Sequence, residues 1–258
     1  MTSETIGFLG VGHLADYTLR GLRRGGFQGE VLLSPRNSER AETLSRDCGG
    51  RILGSNQEVV DGSDLVVLSV RPAAAKEALS QVKLREDQVL ISVVAGIPVA
   101  DLEPLAEPAP VVRAMPVTAA EAASSPTLIT PPHARVEALF AHCGEAIPVA
   151  EDREFEAAAT NACVYGWYFA LFECIRAETE KAGVSPAVAR RVVLGMARGA
   201  AEVALAKPEE TLDGTAQEIA TEGSFTRLGL DHLEARQAFD PWREAFAQVH
   251  AALKGEGG

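Results

Sequence analysis

The stretch Ile6-Gly7-Phe8-Leu9-Gly10-Val11-Gly12-His13-Leu14-Ala15 decides how the rest of the chain is read. A short apolar strand runs straight into Gly10-x-Gly12-x-x-Ala15, and the pattern then turns helical. In such a turn the first glycine permits the tight bend, the second lets backbone approach a pyrophosphate, and a small third residue allows close helix–strand packing. The helix that follows offers free N–H groups and a positive dipole end to phosphate. The spacing therefore predicts a dinucleotide site built on Gly10, Gly12, His13 and Leu14. A turn that needs glycine for geometry alone is the plainer alternative.

Outward from this turn, residues 5–9, 30–34, 65–70, 89–94, 111–115 and 127–130 are short runs rich in Val, Ile and Leu. Continuous apolar runs are what strands covered on both faces of a parallel sheet look like. Helical patterns at 13–24, 38–47, 73–81, 99–106 and 134–143 separate them, and 146–149 reads as a last strand. Alternation of this kind predicts a doubly wound, mostly parallel α/β domain over 1–150. Beyond it lies one long helical pattern over 154–181, then a helix starting at Ser185-Pro186 and shorter ones near 209–220, 226–236 and 241–253. With no strand signal after 150, residues 151–258 are expected to form an all-helical domain.

The chain has 258 residues, 47% apolar and 23% charged, which excludes a disordered or fibrous protein. Thirty-six acids against 24 Lys plus Arg give a formal charge of −12. That surface repels phosphate backbones, so no nucleic-acid partner is expected. The four cysteines, Cys48, Cys143, Cys163 and Cys174, are scattered. They form neither a metal spacing nor a disulfide framework, which points to reduced thiols in a cytoplasm. No export signal or membrane span is expected. The five histidines show no metal-ligand spacing, so no metal is expected.

The end of the second strand bears on the cofactor. NAD-binding turns place an Asp or Glu about 20 residues beyond the glycines, on the ribose 2′-hydroxyl. Here the chain reads Leu33-Ser34-Pro35-Arg36-Asn37-Ser38, with no acid. Ser34, Arg36 and Asn37 would instead hold a 2′-phosphate, with Arg36 engaging it bidentately, so NADP(H) is expected over NAD(H). The alternative is a solvated turn. Ligands of open α/β sheets lie beyond the carboxyl ends of strands. Val70-Arg71-Pro72, Ala95-Gly96 and Met115-Pro116 follow the next three strands and are expected to face the cofactor. For Met115 a core position is as good a reading.

These segments together resemble the pyrroline-5-carboxylate reductase family, which reduces a cyclic imine to proline with NAD(P)H. The resemblance rests on the glycine turn, the Ser34–Asn37 turn, Ser69-Val70-Arg71-Pro72, residues 92–96, Arg113-Ala114-Met115-Pro116, and Glu222-Gly223-Ser224-Phe225-Thr226-Arg227 in the helical half. It implies an N-terminal Rossmann domain and an all-α C-terminal dimerisation domain, with a homo-oligomer as the working form. It also implies that the substrate meets Val117, Asn161, Tyr165, Trp167, Gly223, Ser224 and Phe225, and that Thr226 polarises the imine nitrogen. A hydroxyl at 226 precedes an apolar run, so a helix N-cap is the other reading, and one group could serve both.

Departures from the family's pattern concentrate on the substrate side. Its usual Met-Pro-Asn-Thr-Pro is Met115-Pro116-Val117-Thr118-Ala119 here, which removes an amide. Of its Ser-Pro-Gly-Gly-Thr-Thr loop only Gly223 and Thr226 remain, and Glu222 would disfavour an anionic substrate if it pointed inward. Two other readings stay open. A β-hydroxyacid dehydrogenase would use a lysine in the first interdomain helix, yet 154–180 contains none. A non-catalytic nucleotide-binding relative is compatible with the altered loops.

Overall fold

The computed structural model describes residues 4–35 and 38–253. By its contacts the chain divides into two compact units, Met1–Ala159 and Thr160–Gly258. In the first unit the elements are β1 (Ile6–Leu9), α1 (His13–Arg24), β2 (Val31–Leu33), α2 (Ser38–Cys48), β3 (Arg51–Ile52), α3 (Asn56–Asp61), β4 (Leu65–Leu68) and α4 (Pro72–Ser80). Then come β5 (Val89–Ser92), α5 (Val99–Ala106), β6 (Val111–Met115), β7 (Ser125–Thr130), α6 (Ala134–Phe140), β8 (Gly144–Pro148) and α7 (Asp152–Ala159).

The eight strands form one sheet in the order β3-β2-β1-β4-β5-β6-β7-β8. Strands β1 to β6 are parallel, whereas β7 runs antiparallel to β6 and β8 follows β7. Strand order reverses between β1 and β4, the topological switch point of a Rossmann-like sheet. Side-chain parity explains the continuous apolar runs. Leu65 and Val67 join the layer under α1, α2 and α6, while Val66 and Leu68 join the layer under α3, α4 and α5. Both faces are covered, so neither parity can be polar.

Two elements escaped the apolar-run reading. Strand β3 is only two residues long, and α3 only six. Its start was nonetheless written in the chain: Ser55 accepts the Glu58 N–H at 3.2 Å while Glu58 accepts the Gly54 N–H at 3.1 Å, a capping arrangement.

In the second unit α8 (Asn161–Lys181), α9 (Pro186–Ala206), α10 (Leu212–Ile219), α11 (Phe225–Ala235) and α12 (Asp240–Leu253) contain no strand. The pattern read as one helix over 154–181 is two, α7 and α8, interrupted at buried Thr160. The hydroxyl of Thr160 lies 3.0 Å from Nδ1 of His250 on α12. Chain reversal between α8 and α9 uses Gly183 at φ +101°, and Pro186 opens α9 at a position that needs no N–H. Among the described residues no helix is long and apolar enough to cross a membrane.

Candidate active site

Glycine is required at position 10. The residue has φ +94°, and a Cβ there would lie 2.6 Å from the Ser69 carbonyl oxygen and 2.6 Å from Cγ1 of Val70. Gly12 is different: among the described residues beyond its chain neighbours, the nearest atom to a Cβ would be Ser69 O at 3.9 Å, so they leave the space over it open. Steric need within the protein therefore explains the first glycine, whereas the second is the position at which a dinucleotide turn lets backbone approach pyrophosphate. Gly12 is the N-cap of α1 and supplies no side-chain acceptor. The first-turn N–H groups of His13, Leu14 and Ala15 thus have no intrahelical partner, as at every helix start. An open glycine followed by these donors fits a dinucleotide pyrophosphate.

Ser34 was expected to meet a 2′-phosphate, but the structure turns it inward. It is fully buried, and its Oγ accepts the Gly10 N–H at 2.9 Å. Its own N–H donates to Phe8 O, so the hydroxyl braces the glycine turn from the end of β2. Arg36 and Asn37 lie outside the described residues. A residue that the sequence reading missed lies close to the glycine turn instead: Arg40, in the first turn of α2, places Nη2 3.3 Å from Nε2 of exposed His13. A basic residue one turn into the second helix is the signal that would have found it. Ser34→Ala should lower stability by about 1 kcal/mol, because the Gly10 N–H loses its acceptor, and chemical denaturation reads this directly.

Farther along the strand ends, Val70 is half-buried while Arg71 and Pro72 are exposed at the start of α4. Ala95 and Gly96 are exposed after β5, with Gly96 at φ +72°. Met115 packs at the edge of the Leu128, Val149 and Phe155 cluster, and Pro116 is buried. Val117 is half-buried, and its N–H donates to Ser125 Oγ at 3.0 Å. Burial pushes the Cys143 thiol up to about 12. It sits 3.6 Å from the Thr18 carbonyl oxygen as an inert thiol.

In the second unit the expected substrate residues separate. Asn161, Tyr165 and Trp167 all lie on α8, and residues two apart on a helix point about 200° apart. Tyr165 meets Phe169 edge-on at 5.3 Å, whereas Trp167 packs against Trp242 of α12 at 6.1 Å. Tyr165 and Trp167 therefore point to different sides of α8. Nor is Thr226 a helix cap. The N-cap of α11 is Ser224, whose Oγ accepts the Arg227 N–H at 3.1 Å. The Ser224 hydroxyl, expected on the substrate, thus accepts a helix N–H and keeps its own O–H to donate. Gly223 makes the preceding bend at φ +77°, Phe225 is 93% exposed, and Thr226 is exposed as the second residue of the helix.

Comparison with known proteins agrees with this division. Residues 5–96 match the family described as NADP oxidoreductase coenzyme F420-dependent. Residues 152–254 match the one described as pyrroline-5-carboxylate reductase dimerisation. The chain is 31% identical over 226 residues to the pyrroline-5-carboxylate reductase of Pseudomonas aeruginosa, with 81% of each chain covered. Its fold matches the solved 1-pyrroline-5-carboxylate reductase of Streptococcus pyogenes at TM-score 0.85 and 22% identity, over 99% of this chain and 100% of that one. The Plasmodium falciparum pyrroline carboxylate reductase, solved with NADP bound, matches at TM-score 0.84 and 19% identity over 100% of both chains. With a glycine turn open to pyrophosphate at one end and the dimerisation match at the other, the chain belongs to the pyrroline-5-carboxylate reductase family.

Proposed function

We propose that the protein reduces the C=N bond of a small cyclic imine, pyrroline-5-carboxylate or a close relative, at the expense of NADPH. The observation that carries this reading is the pairing of Gly10, fixed by its neighbours, with Gly12, left open over the start of α1. The bound cofactor supplies the hydride. What remains for the chain is to hold the phosphates and to place a donor on the imine nitrogen. The α1 N–H groups, with His13 and Arg40 beside them, serve the phosphates. Thr226 Oγ1 donates to the nitrogen, directly or through a water, and general acid assistance of this kind contributes about 10²- to 10⁴-fold. NADPH consumption against cyclic imines, 2-oxo acids and hydroxy acids tests the reading. Turnover of a cyclic imine supports it. Turnover of hydroxy acids alone, or tight NADPH binding without turnover, overturns it.

For the cofactor, the missing acid after β2 leads us to expect NADPH to bind about tenfold tighter than NADH, or about 1.4 kcal/mol. Arg36→Glu should erase or invert that preference. Equal affinities in the unaltered protein would sink the expectation, and calorimetry with both cofactors decides it.

The reading extends to a cytoplasmic homo-oligomer. Helices α8 and α9 leave Phe169, Ile175, Val192, Met196, Val203 and Leu205 exposed. Met196 and Leu205 reach 73% each, more apolar surface than a soluble chain leaves uncovered. A second copy, joined about a two-fold axis, is the expected cover. Light scattering should give at least a dimer at micromolar concentration, and a stable monomer would contradict it.

A further inference from the structure

Arg113 is 2% exposed, a guanidinium placed inside the sheet domain on β6. Such a group cannot shed its charge, and burying it costs desolvation that an apolar residue would avoid. What surrounds it joins three elements. Its Nη1 lies 2.6 Å from Glu156 Oε1 and 3.3 Å from Asp152 Oδ1, both on α7. Its Cζ stands 4.4 Å from the centre of the Phe155 ring on the same helix. The other oxygen of Asp152, Oδ2, accepts the N–H of Val99, the first residue of α5, at 3.4 Å. Phe155 in turn packs into the cluster at whose edge Met115 sits.

The two segments fixed this way are residues 93–98, between β5 and α5, and residues 115–117, at the end of β6. Both lie at carboxyl ends of strands on the β4-β5-β6 side of the switch point. The glycine turn and the end of β2 lie at the switch point and on its other side. A dinucleotide laid across such a crevice puts its adenosine half toward β2 and its nicotinamide half toward β5 and β6.

We infer that Arg113 is a positioning residue for the nicotinamide half of the cofactor: through Asp152 and Phe155 it sets the Ala95–Gly96 turn and the Met115–Pro116 turn against each other. This rests on the dinucleotide reading given above. The buried cation then answers a need for one fixed geometry rather than for stability, because methionine would fill the space at lower desolvation cost. It touches neither cofactor nor substrate. Its effect passes through the backbone of the two turns, and a misplacement of about 1 Å at a reacting centre can lower rate by about 10²-fold.

The test compares two ligands on Arg113→Met, Arg113→Lys and the unaltered protein. Adenosine 2′,5′-bisphosphate occupies only the adenosine half; NADPH occupies both. For Arg113→Met the bisphosphate Kd should stay within about twofold, while the NADPH Kd rises and kcat for imine reduction falls, each by about tenfold or more. Arg113→Lys, which keeps a cation beside Glu156, should recover part of both. Should Arg113→Met fail to fold, Asp152→Asn carries the same comparison, since it keeps side-chain size and leaves Arg113 paired with Glu156. Equal weakening of both ligands would make Arg113 a general stabiliser, and no change in either would make it irrelevant to the site; both overturn the inference. If the unaltered protein binds neither ligand, the dinucleotide reading itself fails and this role goes with it.

Discussion

Thr226→Val is expected to lower kcat/KM for a cyclic imine by about 10²-fold, equivalent to about 2.7 kcal/mol of transition-state stabilisation. Valine keeps the branched shape and removes only the hydroxyl. The N-cap of α11 is Ser224, so no cap is lost with Thr226. Stability should move by less than about 0.5 kcal/mol, as at other exposed helix positions with similar propensity. NADPH affinity should hold, because the glycine turn proposed to bind its phosphates is in the first unit. Ser224→Ala is the complementary control. It should cost about 1 kcal/mol of stability and leave the Thr226 hydroxyl in place. Steady-state kinetics beside thermal melts separate the two. An unchanged rate for Thr226→Val would assign the proton to another group.

Gly10→Ala is expected to damage both fold and cofactor binding. The added Cβ would meet the Ser69 carbonyl and a Val70 methyl at 2.6 Å, and the carbonyl, being backbone, cannot give way without moving the chain after β4. The backbone at φ +94° is also one that an alanine rarely adopts. Overpacking and strain of this kind together cost about 3 kcal/mol. Denaturation should show that loss, and NADPH affinity should fall by more than about tenfold in whatever folded protein remains. Gly12→Ala makes the contrast. Among the described residues beyond its chain neighbours the nearest atom to its Cβ is Ser69 O at 3.9 Å, so stability should barely change while NADPH binding weakens. If Gly12→Ala bound NADPH normally, the open space over residue 12 would not be the pyrophosphate site.

Much of this architecture was written locally. Runs such as Leu65–Leu68, short, apolar at both parities and rich in Val and Leu, read as strands covered on two faces. The Gly10-x-Gly12-x-x-Ala15 spacing fixes a tight turn into a helix whatever follows, because it depends on residues in contact along the chain. The departure from strand to helix after residue 150 was legible for the same reason, as was Pro186 at the start of α9.

What only the tertiary structure decided concerns where side chains spend their hydrogen bonds and which way they face. Ser34 reads as a phosphate ligand in sequence, but β2 pairs with β1 and turns its hydroxyl onto the Gly10 N–H. Asn161, Tyr165 and Trp167 were all expected on the substrate, but on α8 Tyr165 meets Phe169 whereas Trp167 packs against Trp242. Thr226 and Ser224 compete for one cap, and the register of α11 gives it to Ser224. Arg113 is the clearest case. Its partners Asp152 and Glu156 lie about forty residues away, and only the pairing of β6 with its neighbours and the packing of α7 bring them together. Local pattern determines which elements form, because propensity and periodicity act between near neighbours. Charge pairing and donor satisfaction act through space, so the roles of these residues were settled only when the sheet closed around them.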